Sequence, residues 1–169
     1  FGKFGTYKKV ESMIEAVDLV RKETGLDLEI VIAGTDNPNV LGYLANVKET
    51  YKHITQLTFT GYVKEVEVAS LFTESAVVVF PYTSTTGSSG VLHQAGSYGR
   101  AVVMPNLGDL ASLIEDEGYR GEFFEPESVI SLANAIKAIV TNEGYRIELG
   151  EANYKAATAF PMERITAIY

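Results

Sequence analysis

The runs AVVVFP (76–81) and AVVMP (101–105) are apolar at every position, with no in-and-out alternation. A strand of this kind must be covered on both faces, as in a parallel sheet held between helical layers. The rest of the sequence alternates around these runs. Val10, Met13, Ile14, Val17 and Val20 recur at helical spacing, and Gly25 stops that helix. LDLEIVIAG (26–34) is a strand, and DNPN (36–39) is a turn that caps a second helix carrying Val40, Leu44, Val47 and Tyr51. ITQLTFTG (54–61) is a strand and KEVEVASLFTE (64–74) a short helix. The Ser/Thr/Gly loop TSTTGSSG (83–90) precedes a helix through about Tyr98. LASLIED (110–116), GEFF (121–124) and 127–141 then read as helix, strand and helix. The remainder, 142–169, reads as helix with a break near Pro161. This order predicts an α/β chain, a Rossmann-like open parallel sheet with helices on both faces. The first strand falls at or before Phe1, because the first helix pattern begins only a few residues later.

Composition narrows the chemistry. Cysteine is absent, which excludes disulfides, zinc-thiolate sites and thiol catalysis, and two histidines are too few for a typical catalytic zinc site. No metal is expected. A net charge of −8 argues against nucleic acid or an anionic membrane as partner, so an anionic ligand must be met by a few placed cations and backbone amides. No apolar run is long enough to cross a bilayer and the opening FGKFGTYKKV has no secretion-signal core, so a cytoplasmic location is the expectation.

In an open parallel sheet, ligands sit beyond the C-terminal ends of the strands. There, TTGSSGVLHQAGSYG sets small residues directly before a helix start, where backbone N–H groups and the helix dipole can face a phosphate. A flexible, N-capped turn accounts for the same residues equally well. Lys3, Lys8 and Lys9 flank the turn into the first helix, either as solvated surface or as cations for an anionic ligand. His93 is read as a packing or capping residue and His53 as solvated. Asp109 serves as the N-cap of the following helix or as a contact to a ligand at the strand ends.

Five pieces fall in one order: GKxxxYKKV at 2–10, VIAG at 31–34, FTGYV at 59–63, FPYTSTTGSSGVLHQAGSYGRAVV at 80–103 and GEFFEPES at 121–128. Together they resemble the C-terminal, donor-binding domain of retaining GT-B glycosyltransferases of family 4, over essentially the whole chain. The resemblance implies that a nucleotide-diphosphate sugar, with UDP or GDP, is the ligand and that no metal or other cofactor is needed. It places Lys3 and Lys8 as catalytic cations on the donor diphosphate, although Lys3 for the family's Arg gives up a bidentate fork. Gly61, Tyr62 and Val63 match the loop that meets the base, and Thr86, Gly87, Ser88, Ser89, Gly90 and Val91 the turn beside the diphosphate and sugar. The family's paired glutamates stand at positions matching Thr86 and Gln94, so neither carboxylate is present. Gln94 can still accept from ribose hydroxyls through its amide oxygen.

The resemblance further implies a donor domain at 1–159, with the tail 160–169 packing toward an N-terminal acceptor domain outside this chain. Any peripheral membrane contact would fall to that other domain. The intact protein would then be a glycosyltransferase, and the isolated domain inactive. A catalytically degenerate nucleotide-sugar binding module is the alternative. A GT-B-like sugar-nucleotide epimerase is a further one, and would want carboxylate and histidine acid/base groups in the cleft, of which this half offers few. A flavodoxin-like domain would want its phosphate loop after the first strand, whereas the Ser/Gly loop follows the fourth.

Overall fold

The structure, a computed structural model, describes residues 1–83, 89–108 and 110–159. Short strands alternate with helices: β1 (Gly2–Phe4), α1 (Glu11–Thr24), β2 (Ile30–Ile32), β3 (Gly34–Asp36), α2 (Tyr43–Thr50), β4 (Leu57–Phe59) and α3 (Glu65–Thr73) come first. They are followed by β5 (Val77–Val79), α4 (Ser89–Ser97), β6 (Ala101–Pro105), α5 (Leu110–Asp116), β7 (Glu122–Phe124), α6 (Val129–Val140) and α7 (Glu143–Ala159). All the strand ladders are parallel: β1 with β3, β2 with β4, and β5 with β6 and β6 with β7.

The expected alternation is therefore present, with three differences. The first strand, expected at or before Phe1, lies at Gly2–Phe4, because six residues of loop separate it from α1. The run expected as one strand at 26–34 is broken at Ala33, because its partners change edge there. β2 pairs with β4 on one side, and β3 pairs with β1 on the other. Gly34 makes the change feasible: its φ is +142°, and a Cβ there would lie 1.8 Å from the carbonyl oxygen of Gly2. The third difference is at DNPN. Asn37 caps a 3₁₀ turn over Pro38–Val40, while Asp36 caps the helix that follows, its carboxylate accepting from the amides of Gly42 (2.7 Å) and Leu44 (2.8 Å). The tail 160–169, expected to run toward another domain, lies outside the described residues.

β6 shows how the layers form. Its alternate residues enter two separate cores, Ala101 and Val103 facing one and Val102 and Met104 the other. The first core is roofed by α1 and α6, through Ile14, Val17, Val20, Leu132, Ile136 and Ile139. Phe72 of α3, Leu92 and Ala95 of α4, Ile114 of α5 and Ala156 of α7 close the second. α7 is held down by a buried polar clamp. The Asn153 side chain accepts from the Arg120 amide (2.7 Å) and donates to the Arg100 carbonyl (3.0 Å), tying the helix to both flanks of β6 and β7. One turn earlier Gly150 lets α7 approach the Gly99 turn, where a Cβ would lie 2.2 Å from the Gly99 oxygen.

Candidate functional site

With all ladders parallel, the loops that follow β1, β3, β4, β5 and β6 leave from one edge of the fold. Two of them are stitched together. In the loop after β1, Gly5 donates to the Lys8 carbonyl (2.9 Å), closing a turn. Lys9 then donates to the Pro81 carbonyl (3.3 Å) and the Thr83 amide donates to the Tyr7 carbonyl (2.8 Å), while Lys8 and Tyr82 face each other across an antiparallel bridge.

This stitching buries Lys8, which is only 8% exposed. Its ammonium lies 5.0 Å from the centre of the Tyr82 ring and 5.9 Å from that of Tyr7, in the range where the ring faces attract a cation. Nζ also takes the space beside Gly2, 2.9 Å from where a Cβ would stand. Burial pulls the Lys8 pKa below its ordinary 10.5. Among the described residues no carboxylate forms an ion pair with Lys8. This desolvated cation thus has, among the described residues, no carboxylate counter-charge at the strand ends.

The other expected residues divide. Lys3 stands exposed on β1, opposite Thr35 in register. In the loop after β4, Gly61 bridges back to Gly34, Tyr62 is 78% exposed and Val63 is half-buried. Ser89 opens α4, Gly90 is exposed in its first turn, and Val91 packs against the second core. Gln94 is half-buried on the same helix. Thr86, Gly87, Ser88 and Asp109 lie outside the described residues. His93 has a packing partner, its Nδ1 lying 3.2 Å from the Tyr119 hydroxyl, and His53 is exposed near the Tyr51 ring.

Sequence reasoning missed the aromatic seat of Lys8. The signal was present in the adjacent Tyr7 and in Tyr82, but only the bridge between their loops brings the second ring to the cation. The DNPN turn was expected to cap the second helix, and Asp36 is the residue in it that does so. Among the described residues no group of three or more His, Asp or Glu side chains converges in a metal-binding arrangement, and no helix is long and apolar enough to cross a membrane.

Residues 1–142 match the protein family described as glycosyl transferases group 1. No curated protein matches the chain. Among solved structures, the chain is similar to the C-terminal domain of LpcC, a glycosyl transferase group 1 family protein from Francisella tularensis. The TM-score is 0.78 at 21% identity, covering 95% of this chain and 83% of that one. It is similar to HepE of Anabaena in complex with UDP-glucose, with TM-score 0.78, 17% identity, and 94% and 43% of the two chains covered. A third is the sucrose-phosphate synthase of Thermosynechococcus elongatus, with TM-score 0.74, 20% identity, and 99% and 43% covered. The chain thus spans less than half the length of the latter two. These likenesses show the fold, that of a GT-B C-terminal domain.

Proposed function

The chain belongs to the group 1 glycosyl transferases, and on that footing we propose that it binds the nucleotide-diphosphate moiety of an activated sugar beyond the C-terminal ends of its strands. The observation that carries this reading is Lys8: buried, seated on two tyrosine rings and unpaired with any carboxylate among the described residues. A diphosphate offers the counter-charge that the described residues do not supply, and would return the Lys8 pKa toward its ordinary value.

The roles follow from chemistry. As the bond between the sugar and the diphosphate breaks, negative charge develops on the leaving diphosphate. Lys8, assisted by the exposed Lys3, stabilises that charge, and the amides of Ser89 and Gly90 at the start of α4 add oriented dipoles. The loop at Gly61, Tyr62 and Val63 meets the base, Gln94 accepts from the ribose, and Asp109 reaches the sugar. HepE is recorded in complex with UDP-glucose, which makes a UDP-sugar the first donor to try. In the whole protein the sugar would pass with retention to an acceptor held by another domain. The comparison favouring a larger whole is that HepE is more than twice as long as the stretch this chain covers.

Calorimetric titration of the chain with UDP and GDP tests the donor site. Binding to at least one is expected, about tenfold weaker in Lys8→Met and less affected in Lys3→Ala. Absence of binding to both nucleotides, or identical affinities for Lys8→Met and wild type, would sink the proposal. The neutral residues Thr86 and Gln94 favour a second reading, a degenerate module that binds the donor without transferring its sugar. Transfer or donor hydrolysis by the intact protein separates the two.

A further inference from the structure

The burial of Lys8 penalises its ammonium form. A carboxylate beside it would relieve the penalty, but would also neutralise the charge and repel an incoming anion. Among the described residues no carboxylate is paired with it. What faces the ammonium instead is a ring: Nζ lies over Tyr82, 5.0 Å from its centre. The face of an aromatic ring is negative although the ring is neutral, so it attracts the cation and leaves the full positive charge for a ligand.

The fold holds that ring from several sides. Tyr82 is 4% exposed. Its ring meets Phe80 edge to face, with centres 5.5 Å apart and planes at 79°, and meets Tyr7 in the same manner at 5.8 Å and 87°. Phe80 is fully buried in the second core, so the ring is braced from within the fold. The backbone is fixed as well, because Lys8 and Tyr82 are bridge partners flanked by the Lys9–Pro81 and Tyr7–Thr83 bonds. Tyr7, half-buried and 5.9 Å from the ammonium, adds a second and more distant face. Lys3 and Lys9, on either side in sequence, are exposed and have no ring over them among the described residues.

We propose that Tyr82 is a positioning residue for the donor: the face of its ring keeps the Lys8 ammonium charged and in place at the strand ends, without a counter-ion to compete with the diphosphate. This role rests on the donor-binding reading of Lys8 and extends it to a residue that acts through the lysine. The ring face carries the effect and the hydroxyl does not. Phenylalanine should therefore serve at this position, and an aliphatic side chain should not.

Graded fluorination separates the electrostatics of the ring from its bulk. Position 82 is filled in turn with Tyr, with Phe, and with Phe bearing one, two or three ring fluorines, which draw negative charge from the face at nearly constant shape. Two quantities are read in each form. One is the titration of the Lys8 ammonium without ligand, by carbon NMR of lysine-labelled chain assigned with Lys8→Met. The other is UDP affinity against pH, by calorimetry. Tyr82→Phe should keep UDP affinity within about twofold of the wild type. Each fluorine should move the Lys8 titration to lower pH, because the charged form loses attraction, and the alkaline fall of UDP affinity should move with it. On that alkaline limb the series should weaken UDP binding by roughly tenfold, and at pH 7 by less. Tyr82→Leu should also titrate at lower pH. Independence of both quantities from fluorine number, with UDP still bound, overturns the inference and leaves the donor site standing. A Lys8 titration moved to higher pH in Tyr82→Leu also overturns it, since the ring would then be a cover that excludes water and no more. Failure of every form to bind UDP or GDP sinks the donor reading and this role with it.

Discussion

β5 and β6 are neighbours of nearly the same composition, and they differ in what surrounds them. All five residues of β6 are buried, Val103 completely, whereas Val77, Val78 and Val79 of β5 are each half-exposed and Val31 of β2 is 39% exposed. β6 has a strand on each edge and helices on each face. β5 has the helices but, among the described residues, a strand on one edge only. Apolar side chains therefore mark a strand for two-sided cover, but the neighbouring strand decides whether it is sealed. The molecule divides accordingly into a closed half around β6, β7 and α7 and an open half around β1 to β5.

The largest effect that tests this division comes from two glycines. Gly150→Ala drives a methyl group against the Gly99 oxygen inside the closed half, where α7 and the turn are both pinned. A loss of about 4 kcal/mol in urea unfolding is expected. Gly34→Ala has the shorter clash, 1.8 Å, and an unfavourable φ, but β1 is bonded on one edge and can shift away. Its loss should be smaller, about 2–3 kcal/mol, with UDP binding suffering most. The reverse ranking would break the comparison.

Asn153→Ala comes next. It leaves the Arg120 amide and the Arg100 carbonyl without their partner at a fully buried site, and about 2–3 kcal/mol is expected by denaturant titration. Val103 and Val79 are opposite each other in register and face the same core. Val103→Ala should cost about 2 kcal/mol and Val79→Ala about 1 kcal/mol. Equal losses would mean that the open edge leaves the packing of β5 unaffected.

The smallest effect is a pH dependence confined to the open half. Burial holds the Lys8 pKa below 10.5 in the folded chain, so between that lowered value and 10.5 the unfolded chain binds more protons. Stability should rise with pH across this alkaline window, and Lys8→Met should flatten the rise. Tyr82, whose pKa is raised by burial and by Tyr7, acts in the opposite sense above its ordinary 10. Unfolding midpoints taken stepwise below pH ~10 isolate the lysine. UDP affinity should fall over the same window as Lys8 loses its proton.

Much of the fold was legible because burial writes itself into hydrophobic period. The all-apolar AVVMP run became β6 with the predicted bounds, and Gly25 ends α1 in the left-handed conformation. The division of 26–34 at Ala33 was not legible, since an exchange of strand partners leaves no mark on a continuous apolar run. The site was legible in outline only. Lysines at positions 3, 8 and 9 look alike in sequence, and the choice among them is made by backbone bonds between loops more than 70 residues apart. The resemblance singled out Lys3 and Lys8; only Lys8 is enclosed, because the Tyr7–Thr83 and Lys9–Pro81 bonds fold its segment under Tyr82.

The seat of Lys8 has a consequence for entropy. A free lysine side chain gives up as much as about 2 kcal/mol of rotamer freedom when an anion immobilises it. Buried between two tyrosine rings and the space beside Gly2, Lys8 has surrendered most of that freedom in folding, so an arriving anion has little further disorder to remove. Lys3, exposed on β1, still has all of it to lose. Two like charges, one on β1 and one in the loop after it, are therefore unequal partners for an anion, and the difference between them was settled before any ligand came.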